Sequence, residues 1–385
     1  MLGKSKLVLD QNCQFHCEVY DLLRPLADDD FYELQDKPIS TGAIYVVGYA
    51  QFEKHRDWLV ELVESDTVKI ILSQTSEGSW TMLGVLRRLR IEHLVKSKKI
   101  LLITTGDMDD SWANLQFDSY MLRLYNHKEN LRACDRTQEI YSKSHKPYKF
   151  LFLNGRGRPH RKYLIERFAL SGILDQSLWS SLDSDTIDKH GWIDLIHQGK
   201  NLILNPRPIK YLPPQYEYDS YQDRIDSPTT DTFVKHHLFN NTWGDIYLKA
   251  EPYIDTYFSL VTETVFFYPH SLRSEKIYKP IAMGHPFIAV ANCGFYRDLH
   301  KLGFKTFGHL IDESFDTIED NQSRIERIAE VVEDLCQQDL ASFLDSCHDI
   351  CKYNQQRYAE ARLEVREEFP DRFLNFLNQH WPNAT

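Results

Sequence analysis

Three short apolar runs in the first third of the chain restrict its fold more than any other feature. Residues 43–49 (AIYVVGY), 68–73 (VKIILS) and 99–104 (KILLIT) are nearly continuous in aliphatic and β-branched side chains. A strand with one face in water alternates apolar and polar residues, whereas runs of this kind suit strands covered on both faces, as in a parallel sheet. Between them, residues 51–64 and 81–96 carry helical patterns. Strand, helix and strand in this rhythm predict a doubly wound α/β unit.

The polar stretch 135–147 breaks the rhythm and a second series follows. A strand is predicted at 149–153 (KFLFL), then a turn with two glycines, then a helix over 159–170. Further strands are predicted at 201–204, 257–261 (YFSLV), 286–291 (PFIAVA) and 305–307. Residues 205–228, with five prolines and several tyrosines, read as an ordered loop inside this second domain. From residue 321 onward the pattern is helical. Phe369, Phe373, Phe376, Leu377, His380 and Trp381 fall on one stripe, so the last helix packs against the body. The expected domains are 1–140 and 147–330, with a helical tail over 331–385.

Composition narrows the function. The 385 residues suit two domains of about 150 each. With 45 Lys plus Arg against 56 Asp plus Glu, the formal net charge is −11, which argues against sequence-independent nucleic-acid binding. No apolar run approaches the ~20 residues that span a bilayer, and residues 1–10 lack the apolar core of a signal peptide. Seven cysteines without a dense framework favour reduced thiols, and so a cytoplasmic protein. One basic run departs from the acidic average. In residues 81–99, Arg87, Arg88, Arg90, Lys96, Lys98 and Lys99 accompany an apolar side of Met82, Val85, Leu86 and Leu89. This suits either peripheral contact with the inner face of a membrane or a solvated helix face.

Two constellations carry candidate chemistry. Residues 154–161 (NGRGRPHR) directly follow the predicted KFLFL strand. Two glycines allow close backbone approach there and Pro159 suits the first helical position, while Arg156, Arg158 and Arg161 cluster with Asn154 around the turn. Guanidinium groups beside a helix N-terminus suit a phosphate or diphosphate. The second constellation is 258–284, where a strand delivers Thr262, Glu263 and Thr264 at its carboxyl end. Ser274 is placed to cap a helix opening with Glu275 and Lys276, Pro280 removes one helical amide, and Gly284 is placed just past the helix end. Lys276 and Lys279 add positive charge for an anion, and Glu275 or Glu263 can accept hydrogen bonds from a ribose diol. The same residues also suit ordinary helix capping.

Taken together, the strand with Thr-Glu-Thr, the Ser-Glu-Lys helix start, the Gly-His-Pro that ends the helix and the PFIAVA strand resemble the donor-binding half of GT-B glycosyltransferases. The likeness is greatest to the alpha-1,3-fucosyltransferase type, and residues 149–171 and 257–318, including LGFKTFGHLIDESFD, also resemble bacterial and phage glycosyltransferase-like proteins. The resemblance implies two Rossmann-like domains facing a central cleft. It implies that Glu275 binds the nucleotide ribose, and that Lys276 with the arginines of NGRGRPHR binds the diphosphate. Ser274 stands where the fucosyltransferase pattern has Thr.

The reaction implied moves a sugar from a nucleotide-sugar donor to a hydroxyl of a glycan or lipid-linked glycan. No metal or other cofactor is expected, because Arg and Lys neutralise the diphosphate. An attacking hydroxyl must lose its proton, so a base is sought at strand ends of the first domain. Glu77 in SQTSEGSW is the first choice, with Asp107 or Asp109 in TTGDMDD as the alternative, although Glu77 equally suits a helix start. Asp107 and Asp109 also form a D-x-D, the pattern by which GT-A enzymes hold a divalent cation. Cys13, His16 and Cys17, and Cys347, His348 and Cys351, offer zinc-type ligands but read better as buried thiols. A nucleotide-sugar epimerase or hydrolase of the same fold, or a non-catalytic glycan- or nucleotide-binding protein, are the rival readings.

Overall fold

The computed structural model describes residues 6–10, 17–27, 31–32, 40–75, 78–124, 128–155, 157–181, 210, 212–216 and 248–382. The predicted strand at 201–204 and most of the 205–228 loop lie outside them. Contacts divide the chain into two compact units, Met1–Arg123 with Glu360–Thr385, and Leu124–Ala359.

In the first unit, β1 (Leu7–Asp10), β2 (Phe31–Tyr32), β3 (Ile44–Gly48), β4 (Lys69–Gln74), β5 (Ile100–Thr104) and β6 (Asn114–Gln116) form one sheet in the order β2-β1-β3-β4-β5-β6. Every pairing in it is parallel. Alternate side chains of β1, β3, β4 and β5 enter two different cores. Ile44, Val46, Ile71, Leu101 and Ile103 face one, with Val19, Leu23 and the distant Phe369, Phe373 and Leu377. Tyr45, Val47, Ile70, Leu72, Ile100 and Leu102 face the other, with Phe52, Leu59, Met82 and Leu86 from the flanking helices. Burial on both faces is why these strands read as unbroken apolar runs.

In the second unit, β7 (Tyr148–Asn154), β8 (Leu178–Ser181), β9 (Thr256–Thr262) and β10 (Phe287–Val290) are ordered β10-β9-β7-β8, again all parallel. Phe150 stacks on Phe258 across the β7–β9 pair and meets Phe168 of the Pro159–Leu170 helix edge-on. Both sheets share one order. From the first strand the chain moves to one side, returns, and builds outward on the other. The reversal falls between β1 and β3 in the first unit and between β7 and β9 in the second, and open α/β sheets hold ligands outside the carboxyl ends of strands at such reversals.

Four expected elements differ from the observed ones. The helix expected over 51–64 is two, Tyr49–Lys54 and Arg56–Glu64, because His55 leaves helical geometry at φ −115°. That expected over 81–96 divides into Ser79–Leu89 and Glu92–Lys96, with Arg90 left-handed at φ 55°. The tail is interrupted between Asn321–Leu335 and Leu340–His380, where Asp339 accepts from the Ala341 amide. Residues 305–307 are not a strand. The Asn354 side chain pairs with both the amide and the carbonyl of Lys305, at 2.8 Å each, and so satisfies the groups a neighbouring strand would have taken.

The architecture is Rossmann-like and of the general GT-B type: two α/β units, each on a parallel sheet with flanking helices, and a helical tail. Among the described residues no helix is long and apolar enough to cross a membrane.

Candidate functional site

The second unit's reversal point is where its polar residues gather. Asn154 ends β7, and its Oδ1 accepts from Thr262 Oγ1 at the end of β9 (2.9 Å). The Pro159–Leu170 helix starts beside it, with Pro159 at the first helical position and Arg158 in extended geometry at the cap. Side chains of its first turn turn back onto β9. Arg161 Nη2 donates to the carbonyls of Thr262 (2.8 Å) and Glu263 (3.3 Å), and His160 Nε2 meets the Glu263 carbonyl at 2.9 Å. Arg158, His160 and Arg161 are all buried.

Glu263 links this helix start to the next one. Its carboxylate, fully buried, accepts from the Ser274 amide (3.1 Å), the Ser274 hydroxyl (2.6 Å) and the Thr264 amide (3.2 Å). Ser274 in turn caps the Glu275–Met283 helix by accepting from the Lys276 amide (3.3 Å), and Lys276 Nζ lies 3.3 Å from the same hydroxyl. Lys276 also forms an ion pair with Glu275. The helix ends at Gly284 in left-handed geometry, and the Tyr141 hydroxyl donates to its carbonyl (2.7 Å). Arg161, Glu263, Ser274, Lys276 and Glu275 thus form one continuous polar chain. It joins two helix N-termini, each of which favours an anion.

The charges in this chain are unequal. Burial raises the Glu263 carboxyl above the usual range, only partly offset by Lys276. Burial acts on Glu275 too, but Lys276 and then Lys279 outweigh it and hold that carboxyl below its usual value. Glu275 is therefore an ionised acceptor at neutral pH, while Glu263 already spends both oxygens on the protein. His160 is driven well below its ordinary value, first by burial and then by Arg161 and Arg158, so its ring is neutral.

The remaining expected residues lie elsewhere. Glu77 and Arg156 are outside the described residues, as are Cys13 and His16. Asp107 follows β5 in the first unit, half-buried, and its main-chain carbonyl accepts from the Ser79 hydroxyl. Asp109 is exposed and its carboxylate accepts from the Ser111 amide (2.8 Å). Cys347 and Cys351 are buried free thiols, pushed up by burial. Among the described residues no group of three or more His, Cys, Asp or Glu is arranged to hold a metal ion. In the basic run, Arg88 pairs with Glu53, Arg87 with Glu92 and Lys99 with Asp66, which leaves much of its charge offset at the surface.

Sequence reasoning missed His160, although it stands within the quoted motif, and also Arg273 and Arg324, two of the largest fully buried side chains. Arg273 directly precedes Ser274, so its place in the sequence was a usable signal. Arg324 sits in an ordinary amphipathic helix and offered none. No family model, curated protein or solved structure matches this chain.

Proposed function

We propose that this protein is a glycosyltransferase, moving a sugar from a nucleotide-sugar donor to a hydroxyl of a glycan or lipid-linked glycan, with the donor held by the second unit. The observation that supports the reading is that Arg161 and Ser274 both bond to Glu263 at the carboxyl end of β9. This links the start of the Pro159–Leu170 helix, capped by Arg158, to the Ser274-Glu275-Lys276 helix start where the strand order reverses. In this reading Glu275 accepts from the ribose hydroxyls. Arg158, Arg161 and Lys276 stabilise the departing diphosphate, where negative charge grows as the anomeric bond breaks. Lys279 reinforces that potential, and Asn154 and Glu263 hold the two helix starts in register. The hydroxyl that attacks must give up its proton, and Glu77, then Asp107, are the proposed acceptors of it.

Calorimetric titration with a panel of nucleoside diphosphates and nucleotide sugars tests the donor site. Glu275→Ala and Arg158→Ala are each expected to weaken binding at least about tenfold, the scale of one lost charged hydrogen bond. Affinities that match the wild type in both variants would discard the assignment. Glu77→Ala is expected to keep donor affinity and lose turnover. Sugar release or isomerisation that needs no acceptor would point instead to a hydrolase or epimerase of the same architecture.

A further inference from the structure

Arg324 lies in the second unit on the Asn321–Leu335 helix and is only 2% exposed. All five of its N–H groups are in use. Nε donates to the Ala291 carbonyl (3.2 Å), and Nη1 to the carbonyls of Ile318 (2.7 Å) and Glu319 (3.1 Å). Nη2 donates to the Phe266 carbonyl (2.6 Å) and to Asn321 Oδ1. Every acceptor is a neutral oxygen, and among the described residues no carboxylate forms an ion pair with this guanidinium. A cation so deeply buried is costly to leave uncompensated. Burial pulls it down to about 10, which still leaves it protonated at neutral pH.

Its position relates it to the site. Ala291 directly follows β10, and Phe266 is four residues beyond β9. The guanidinium lies 4.4 Å from the centre of the Phe266 ring, and that ring stacks with His160 at 5.2 Å and 15°. Arg324 is therefore one aromatic ring away from the first turn of the Pro159–Leu170 helix, and His160 feels its charge together with those of Arg161 and Arg158.

We propose that Arg324 is a built-in counter-charge of the second unit's anion site, a positioning residue that stabilises a bound diphosphate through its field while fastening the chain segments that leave β9 and β10. The proposal rests on the donor-site reading above. Asp316 and Asp320 attract this guanidinium only from a distance, and a diphosphate at the site would add the negative charge that no ion pair among the described residues supplies. Because all its donors are committed to main-chain and amide oxygens, it acts at a distance and without contact.

Inorganic pyrophosphate is the probe, titrated by calorimetry into wild type, Asn321→Asp, Arg324→Lys and Arg324→Gln, with thermal melts of each. Asn321→Asp sets a carboxylate at an existing partner of Nη2, so it cancels the charge and keeps the hydrogen bonds of the guanidinium. The expected result is roughly five- to tenfold weaker pyrophosphate binding with an equal or higher Tm, the scale of one unit charge acting without contact through partly screened surroundings. A residue that only braced the fold would show unchanged affinity in this variant. Arg324→Gln is expected to weaken binding at least as much, and Arg324→Lys to restore most of it; if the glutamine variant does not fold, Asn321→Asp decides. Unchanged affinity in folded Asn321→Asp overturns the proposal and leaves the donor site standing. Wild-type protein that binds neither pyrophosphate nor any nucleoside diphosphate overturns both.

Discussion

Glu313 shows how a single carboxyl sets a pH dependence. Burial pushes it up to about 7, against opposing hydrogen bonds from Thr306 Oγ1 (2.7 Å) and the Phe307 amide (2.7 Å). A carboxyl raised in the folded state favours folding while protonated, and that contribution is lost as pH rises from the unfolded value near 4.5 through about 7. Tm is therefore expected to fall across this window by more in the wild type than in Glu313→Gln, whose amide oxygen can accept from the Phe307 amide while its NH2 donates to Thr306 Oγ1. Melts at half-unit pH steps check this, and parallel curves would refute it. At this scale the sequence was readable where a residue type has a fixed local role. Pro159 and Ser274 stand where helix-start chemistry puts them. The roles of Arg324 and Glu263 come from partners far along the chain, such as Phe266 for the arginine and Ser274 for the glutamate, and no local pattern records them.

The Glu275–Met283 helix is an element with both ends determined by single residues. Gly284 has φ 61°, and a Cβ there would lie 2.9 Å from Thr137 Cγ2. Gly284→Ala is expected to cost about 1–2 kcal/mol from backbone strain alone, and more if Thr137 cannot move. A lowered Tm with weakened pyrophosphate binding would show that the helix end also sets its start, whereas a lowered Tm alone would confine the effect to packing. Elements buried on both faces were legible, since β3, β4 and β5 match their apolar runs almost residue for residue. Short or edge strands were not. β6 has three residues at one margin of its sheet, and β8 four at the margin of the other, too few to set up a period. The strand expected at 305–307 failed because a side-chain amide can imitate a neighbouring strand, and composition does not reveal which it will be.

For the whole molecule, the Leu340–His380 helix matters most, because the division between the units falls within it. Its apolar stripe was plain in the sequence, but the surface that the stripe covers was not. Phe369, Phe373, Phe376, Leu377 and Trp381 complete a core of the first unit, where Phe369 packs on Phe117 with ring centres 4.6 Å apart. Phe373→Ala is expected to cost about 3–5 kcal/mol. Melting should show the loss in the first unit, with nucleoside diphosphate affinity unchanged, while an equal loss of affinity would mean that the two units do not behave separately. There is a consequence for synthesis. The ribosome releases residues 1–123 before it has made the side chains that close one face of their sheet, and all of 124–359 must emerge in between. The N-terminal unit therefore waits, half-covered, while the unit made after it can finish folding, and this interval is when the nascent chain most needs a chaperone.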